Sequence, residues 1–205
     1  MSNLDDLTEN QITKRLIGET PNTFDIPKDV LKQFEEDEYR KASVLIPFVR
    51  KDDTWHIVFI RRAESEKDRH SGQVAFVGGK KEAIDDSEID TALRETQEEI
   101  GVNPADIKIL GQMSSHYSVS RFQVSPIVAT FPWPYEFLID PAEVSHTFTL
   151  PLAWLAEENN YEIRNRQPPE SDRQVPVIYF NEFEGELLWG ATARMVLTLI
   201  KALEQ

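Results

Sequence analysis

Hydrophobic and polar positions along the chain follow two periods, one of about two residues and one of about 3.6. Short apolar runs rich in β-branched and aromatic residues, bounded by turn residues, predict strands. The predicted strands are 42–49, 55–62, 72–77, 107–113, 122–131, 174–180 and 186–189, with the last two joined as a hairpin by a turn at 181–185. The third strand ends where Gly78 and Gly79 are expected to break the chain.

Amphipathic patterns predict the helices. They are Leu7 to Ile17, Pro27 to Glu36, 87–100, 150–158 and 191–204. Strands and helices that succeed one another in this order favour an α/β (α+β) sandwich with a mixed sheet between helices. We interpret residues 1–40 as an N-terminal helical appendage and residues 41–205 as the main domain.

Composition narrows the class of protein. The chain has 205 residues, 22 of them Lys or Arg and 36 Asp or Glu, for a net charge of −14. Such a charge argues against nucleic-acid partners and anionic membranes. The absence of cysteine excludes disulfides, thiolate nucleophiles and zinc–thiolate sites, and with the acidic N-terminus it predicts a cytoplasmic protein.

Three carboxylates crowd one side of the helix predicted at 87–100. At about 100° per residue, Glu95, Glu98 and Glu99 fall within an arc of about 100° that borders the apolar face. They lie near the C-terminal end of the helix, which is the unfavourable end for anions. A shared divalent cation, Mg²⁺ or Mn²⁺, would relieve their repulsion. An ordinary solvated acidic face is the alternative.

The sequence RETQEEIGV at 94–102, preceded by Gly78 and Gly79, resembles the Nudix box of the Nudix hydrolases, here about residues 79–102. The resemblance implies an α/β/α sandwich in which the box forms a loop, a helix and a loop. It also implies a hydrolase that uses Mg²⁺ or Mn²⁺ to cleave a small-molecule diphosphate joined to another moiety.

Details of the pattern resemble the coenzyme A pyrophosphatase branch of that family. Arg94 follows Gly79 by fifteen residues, one more than in the usual box, and HSGQVAFVGG, EVSHTFTLPLAWL and LWGATARM flank it. The chain departs from the branch pattern at two places: Val77 stands where the branch has proline, and Lys67-Asp68 stand where the branch has Leu-Arg. The implied substrate is coenzyme A or acyl-CoA, cleaved to 3′,5′-ADP and (acyl-)4′-phosphopantetheine. The alternatives are ADP-ribose, nucleotide sugars, nucleoside triphosphates, or a non-catalytic nucleotide-sensing module.

The resemblance also assigns site residues. Glu95 and Glu99 are the expected main metal ligands, and Glu98 is either a third ligand or the general base. Glu143 is another candidate base. Arg94 is expected to orient a glutamate, and the Gly79 carbonyl either binds the metal or belongs to a tight turn.

Candidate substrate-binding residues lie upstream of the box. Arg61, Arg62 and Arg69 could hold substrate phosphates or merely keep the surface soluble. Gly72, Gln73 and Phe76 match the branch signature, although Phe76 on an alternating strand is also a natural core residue. Asp85 matches the acid that precedes the helix in the branch, and could equally be the helix N-cap.

Overall fold

A mixed β-sheet organises the chain. The computed structural model describes residues 4–17, 39–65, 70–118, 120–167 and 174–205. The strands are β1 (Arg40–Lys51), β2 (Thr54–Arg62), β3 (Val74–Ala75), β4 (Gly78–Lys80), β5 (Lys108–Gln112), β6 (His116–Tyr117), β7 (Phe122–Thr130), β8 (Val144–Pro151), β9 (Tyr161–Arg166) and β10 (Val175–Phe180). The α-helices are α1 (Glu9–Arg15), α2 (Glu88–Ile100), α3 (Leu152–Ala156) and α4 (Gly190–Leu203).

Within the described residues, β1 to β8 form one sheet and β9 pairs with β10 in a second. The main path runs β3-β2-β1-β7-β5, with β4 paired to β1, β6 to β7 and β8 to β2. The strands β1 and β7 are parallel, and the other pairings are antiparallel. The sheet is therefore mixed, as the sequence predicts.

Side chains of β1 and β2 alternate between two cores, as the two-residue period requires. On one face, Ile46, Phe48, Ile57 and Phe59 pack with residues of α1, α3 and α4. On the other face, Leu45, Val49, Val58 and Ile60 pack with Ala92 and Ile100 of α2. Helices cover both faces of the sheet, which confirms the predicted α/β/α sandwich. None of the helices in the described residues is long and apolar enough to span a membrane.

Residues 4–17 pack into the core on the α4 side of the sheet, which contains Ile46, Phe48, Ile57 and Phe59 and is called the α4-side core below. Leu7 and Ile12 are almost completely buried, and the Trp55 indole donates a hydrogen bond to the Leu7 carbonyl at 2.7 Å. The helix predicted at Pro27–Glu36 lies outside the described residues. The boundary at residue 40 stays a prediction, but residues 4–17 pack as part of the same core.

Three sequence-based predictions of strands need correction. The glycine pair does not break the chain, because Gly78 and Gly79 begin β4 and pair with Val44 and Ser43 of β1. The strand predicted at 72–77 is reduced to β3. The predicted hairpin between 174–180 and 186–189 is also wrong, because β10 forms its ladder with β9. Residues 186–189 make only isolated bridges, from Glu186 to Phe183 and from Trp189 to Tyr179.

Besides β4, the strands β6, β8 and β9 have no counterpart among the predictions. Their polar composition explains the omission: β9 reads YEIRNR and is almost wholly exposed, while β8 reads VSHTFTLP. Neither strand carries the apolar run on which strand prediction depends.

Candidate active site

Helix α2 is fixed at both ends, which sets the direction of its acidic face. At its start, Ser87 and Asp90 form a reciprocal capping box. At its end, Gly101 adopts the left-handed conformation with φ +70° and donates to the Gln97 carbonyl at 3.1 Å. A Cβ on Gly101 would lie 2.5 Å from the Cβ of Leu138, so the chain packs closely there.

Glu99 is the most buried carboxylate of the face, with 2 % of its surface exposed. Its Oε2 accepts a hydrogen bond from the Gly78 backbone N–H at 3.1 Å. Burial above all raises the pKa of Glu99 to about 8; the Gly78 N–H and Arg62 act against this shift, and the charges of Glu143 and Glu95 add to it. The structure thus brings all of these groups into one electrostatic neighbourhood.

Glu95 is half-buried beside strand β4. Burial raises its pKa, while Arg94 lowers it and Glu98 and Glu143 raise it. A Cβ on Gly79 would lie 2.5 Å from the carboxylate carbon and from both carboxylate oxygens of Glu95. Glycine at 79 is therefore required for space, so that the carboxylate can lie against the backbone of the strand.

Arg94 links the carboxylates to the loop before the helix. Its Nε and Nη2 donate to Oδ1 and Oδ2 of Asp85 at 2.9 and 3.0 Å. Its Nη1 donates to Glu95 Oε1 at 2.9 Å and to Glu98 Oε2 at 2.8 Å, and Nη2 also reaches the Lys80 carbonyl at 3.0 Å. One guanidinium therefore holds two of the three helix carboxylates, as expected for an orienting arginine.

Asp85 anchors that arginine and does not cap the helix, because Ser87 is the N-cap. The Asp85 carboxylate also accepts the Glu82 N–H at 2.8 Å and the Thr91 hydroxyl at 3.0 Å. The hydrogen bonds from Arg94 hold the pKa of Asp85 well below its usual range. Helical periodicity could not reveal this contact, since Asp85 lies in the loop outside the helix.

The remaining acids differ in exposure. The Glu98 side chain is 58 % exposed, so its second oxygen, Oε1, faces solvent while Oε2 is held by Arg94. Glu143 is exposed just before β8, and its backbone carbonyl accepts the Ala63 N–H at 2.8 Å. The charge of Glu143 raises the pKa of both Glu95 and Glu99, so a second segment of the chain contributes an acid near the helix face.

The candidate phosphate-binding arginines within the described residues lie on different faces of the sheet. Arg62 lies on the α2 face, where its charge lowers the pKa of Glu99. Arg61, the preceding strand residue, projects to the opposite face and pairs with Glu186 at 3.1 Å. Arg69 lies outside the described residues.

The three signature residues divide between loop and core. Gly72 lies in a turn with φ +65°, and the Gln73 carbonyl accepts the Arg62 N–H at 3.0 Å. Phe76 is buried and stacks on Phe59 with ring centroids 5.0 Å apart. The structure therefore places Phe76 in the α4-side core and not among the groups that face the acids.

The oxygen donors fit a hard divalent cation in chemistry, although they do not form a ready cage. Within the described part of the chain, no three acidic or histidine side chains converge as a metal site. Burial nevertheless raises the pKa of both Glu95 and Glu99, so a cation between them would offset a real electrostatic cost. Glu95, Glu99 and the adjacent Gly79 backbone are the groups suited to hold it.

Comparisons with known proteins show what the whole chain is similar to. A family model of the NUDIX domain matches residues 39–194. The Nudix hydrolase NudL of Yersinia pestis is 32 % identical over 191 residues, covering 90 % of this chain and 94 % of that protein. The NudL of Pectobacterium atrosepticum is 32 % identical over 161 residues, covering 78 % and 80 %. A MutT/nudix family protein from Enterococcus faecalis shares the fold, with a TM-score of 0.51 and 14 % identity over 93 % of this chain and 71 % of that one.

Proposed function

Because the chain belongs to the NUDIX domain family, we propose that this diphosphatase hydrolyses coenzyme A or acyl-CoA. Water adds across the P–O–P bond, and the products are 3′,5′-ADP and (acyl-)4′-phosphopantetheine. The choice of substrate is supported by the fifteen-residue spacing from Gly79 to Arg94 and by the sequences flanking the box. The catalytic assignment is supported by one observation above all, the Arg94 guanidinium that holds Glu95 and Glu98 beside buried Glu99.

A divalent cation such as Mg²⁺ or Mn²⁺, when bound by Glu95, Glu99 and the Gly79 backbone, would neutralise diphosphate charge and lower the pKa of water. Glu98 would take a proton from the attacking water at Oε1, the oxygen that Arg94 leaves accessible. Glu143, on the facing segment, is the second candidate for this proton transfer. Arg62 would attract the anionic substrate to an otherwise acidic surface.

Arg94 contributes by position. Its pKa is raised by its hydrogen bonds to Asp85 and to the glutamates, so it stays protonated through the catalytic pH range. Since Asp85 fixes two of its nitrogens, Nη1 has one direction in which to point, and the two glutamates are held before substrate arrives. Groups held in place in advance need no reorganisation during the reaction.

A panel of diphosphates incubated with Mg²⁺ or Mn²⁺ and resolved by chromatography tests the proposal. We expect coenzyme A or an acyl-CoA to give the highest kcat/KM, with 3′,5′-ADP as a product. A chelator should abolish turnover and added cation should restore it. If kcat/KM for ADP-ribose exceeds that for coenzyme A tenfold, the substrate is wrong, and turnover that persists under chelation contradicts the metal requirement.

A further inference from the structure

An arginine and a histidine on neighbouring strands converge on one carboxylate outside the acidic helix face. Arg61 of β2 lies directly opposite His146 of β8 in the antiparallel pairing. Arg61 Nη1 lies 3.1 Å from Glu186 Oε2, and His146 Nε2 lies 2.7 Å from Glu186 Oε1. Each oxygen of one anion is thus held by a different donor.

Glu186 lies at the end of a tight turn that begins at Phe183. Phe183 and Glu186 exchange two backbone hydrogen bonds of 3.0 and 2.9 Å, with positive φ at Glu184 and Gly185 between them. The Phe183 ring packs edge-on against Trp154 at 4.8 Å. The backbone of the turn is therefore anchored, and the Glu186 side chain reaches over the end of the sheet.

The two donors of the cluster are accessible, and one of them is next in sequence to an arginine that acts on Glu99. The Arg61 and His146 side chains are 35 % and 47 % exposed. Arg62, the next residue, is the last of β2 and acts on Glu99 from the other face. Neighbouring strand residues are about 3.3 Å apart along the chain, so a ligand that crosses the end of the sheet could touch both faces.

We propose that Arg61 and His146 form a second anion subsite, which takes a phosphate monoester of the substrate. In the substrate-free protein Glu186 occupies this subsite as an internal anion. The inference rests on the proposed function, since coenzyme A carries a phosphate monoester on its ribose and ADP-ribose does not. The donors that hold a carboxylate through two oxygens also suit a phosphate.

The balance of charges makes the exchange feasible. The Glu186 side chain is 13 % exposed, whereas Arg61 and His146 are open to solvent. A phosphate, with more charge and more acceptor oxygens, can therefore reach the same two donors and replace the carboxylate. Removing the negative charge of Glu186 also lowers repulsion toward a substrate that approaches a protein of net charge −14. Glu186 thereby sets a threshold that favours ligands with the additional phosphate.

Calorimetric binding of adenosine 3′,5′-bisphosphate and of AMP, without divalent cation, tests the subsite apart from turnover. We expect Glu186→Gln to bind the bisphosphate about three- to tenfold more tightly than the wild type, with AMP affinity unchanged. Arg61→Gln should weaken bisphosphate binding about tenfold or more, again without change for AMP. His146→Gln should act in the same direction and serves if Arg61→Gln fails to fold.

Glu184→Gln is the matched control, because Glu184 is an exposed residue of the same turn and the variant removes the same charge. It should leave both affinities at the wild-type value. The subsite is refuted if Glu186→Gln strengthens both ligands equally, if Glu184→Gln reproduces its effect, or if Arg61→Gln and His146→Gln leave bisphosphate binding intact. If the wild-type protein does not hydrolyse coenzyme A but the variants still change bisphosphate binding and not AMP binding, the proposed function is overturned and the subsite stands.

Discussion

At the scale of single residues, Arg94 organises the site and Glu99 is its most buried acid. The Arg94 side chain is held on one side by Asp85 and on the other by Glu95 and Glu98. Glu99 takes no part in that network and is instead held by the Gly78 N–H. The carboxylates of one helix face therefore divide into an arginine-bound pair and a separate buried acid.

Replacing Glu99 by Gln should reduce kcat by about 10²–10³ while the fold is retained. The amide oxygen can still accept the Gly78 hydrogen bond, and the amide stays neutral in a buried site that already raises the pKa of Glu99 to about 8, so stability should hold or rise slightly. Metal affinity should fall, since an amide is a poorer ligand for a hard cation. Steady-state kinetics at saturating metal and urea unfolding measure the two effects.

Glu88→Gln is the control for that variant. Glu88 lies on the same side of α2 two turns earlier, is 38 % exposed and lies 3.9 Å from Lys81. Its replacement should cost less than about tenfold in kcat. Near wild-type kcat in Glu99→Gln, or equal damage from Glu88→Gln, would show that the acids are not organised around a metal.

His116 should make the protein less stable in mild acid. Burial, with a smaller effect of Arg194, lowers its pKa to about 3, and its ring nitrogens have no hydrogen-bond partner among the described residues. The unfolded chain protonates His116 below about pH 6.5 whereas the folded protein does not, so the free energy of unfolding falls as pH drops from about 6.5 toward 3.

Urea unfolding at pH 7.5 and pH 5.0 measures this loss. The His116 contribution amounts to about 2 kcal/mol between these pH values. The drop in unfolding free energy should therefore be smaller by that amount in His116→Gln, and unchanged in His70→Gln, whose side chain is exposed. Equal pH dependence in wild type and His116→Gln would contradict the buried neutral imidazole.

At the scale of elements, helix α2 and strand β4 form the site as a unit. The strand is pinned to β1 through Val44 and Ser43, and its two glycines lie under the helix carboxylates. Gly78 and Gly79 are adjacent, yet they are required for different reasons. A Cβ added at Gly78 would collide with the backbone of Ser43 and Val44. A Cβ added at Gly79 would collide with the flexible end of the Glu95 side chain.

Alanine at the two positions should therefore have separable effects. Gly78 has φ +147°, and the Cβ of an alanine there would lie 2.3 Å from the Ser43 carbonyl oxygen. We therefore expect Gly78→Ala to lower the free energy of unfolding by about 2–4 kcal/mol. Gly79→Ala displaces the Glu95 carboxylate instead, and should keep the fold while kcat falls roughly 10–100-fold.

Gly185→Ala separates strain from collision, because Gly185 also has positive φ, +87°, but no atom within 4 Å of the added Cβ. It should cost only about 1–2 kcal/mol. Thermal unfolding and steady-state kinetics on the three variants check the pattern. A Gly79→Ala enzyme with full kcat would mean that the position of Glu95 does not matter.

At the scale of the whole molecule, the start of the chain completes the core that supports the site. Besides the buried Ile12 of α1, Arg15 donates to the Leu203 carbonyl of α4, and Lys108 pairs with Glu9 at 2.7 Å. The described N-terminal segment therefore connects the sheet to the closing helix.

Ile12→Ala should destabilise the entire domain by about 2–5 kcal/mol, because Ile12 is fully buried in the α4-side core. Lys14→Ala, on the exposed side of the same helix, should change stability by less than about 0.5 kcal/mol. A single cooperative urea transition with a shifted midpoint is the expected result for Ile12→Ala. An unchanged midpoint would mean that residues 4–17 are a separable appendage after all.

Local patterns in the sequence determined the elements of the site. The 3.6-residue period placed Glu95, Glu98 and Glu99 on one face, and the predicted helix at 87–100 agrees within a residue with the observed Glu88–Ile100. Short apolar runs placed β1 and β2, and together these patterns led to the mixed sheet. Such signals are strong because burial of an amphipathic element imposes its own period on the sequence.

Contacts between distant segments were decided only by the tertiary structure. It placed Arg61 and Arg62 on opposite faces, brought Glu186 to Arg61 and directed Asp85 to Arg94. It also added β8, a polar strand that has its place because β2 offers it a pairing edge. These outcomes depend on which edges and cores are available across the whole chain, and no period within one segment encodes that information.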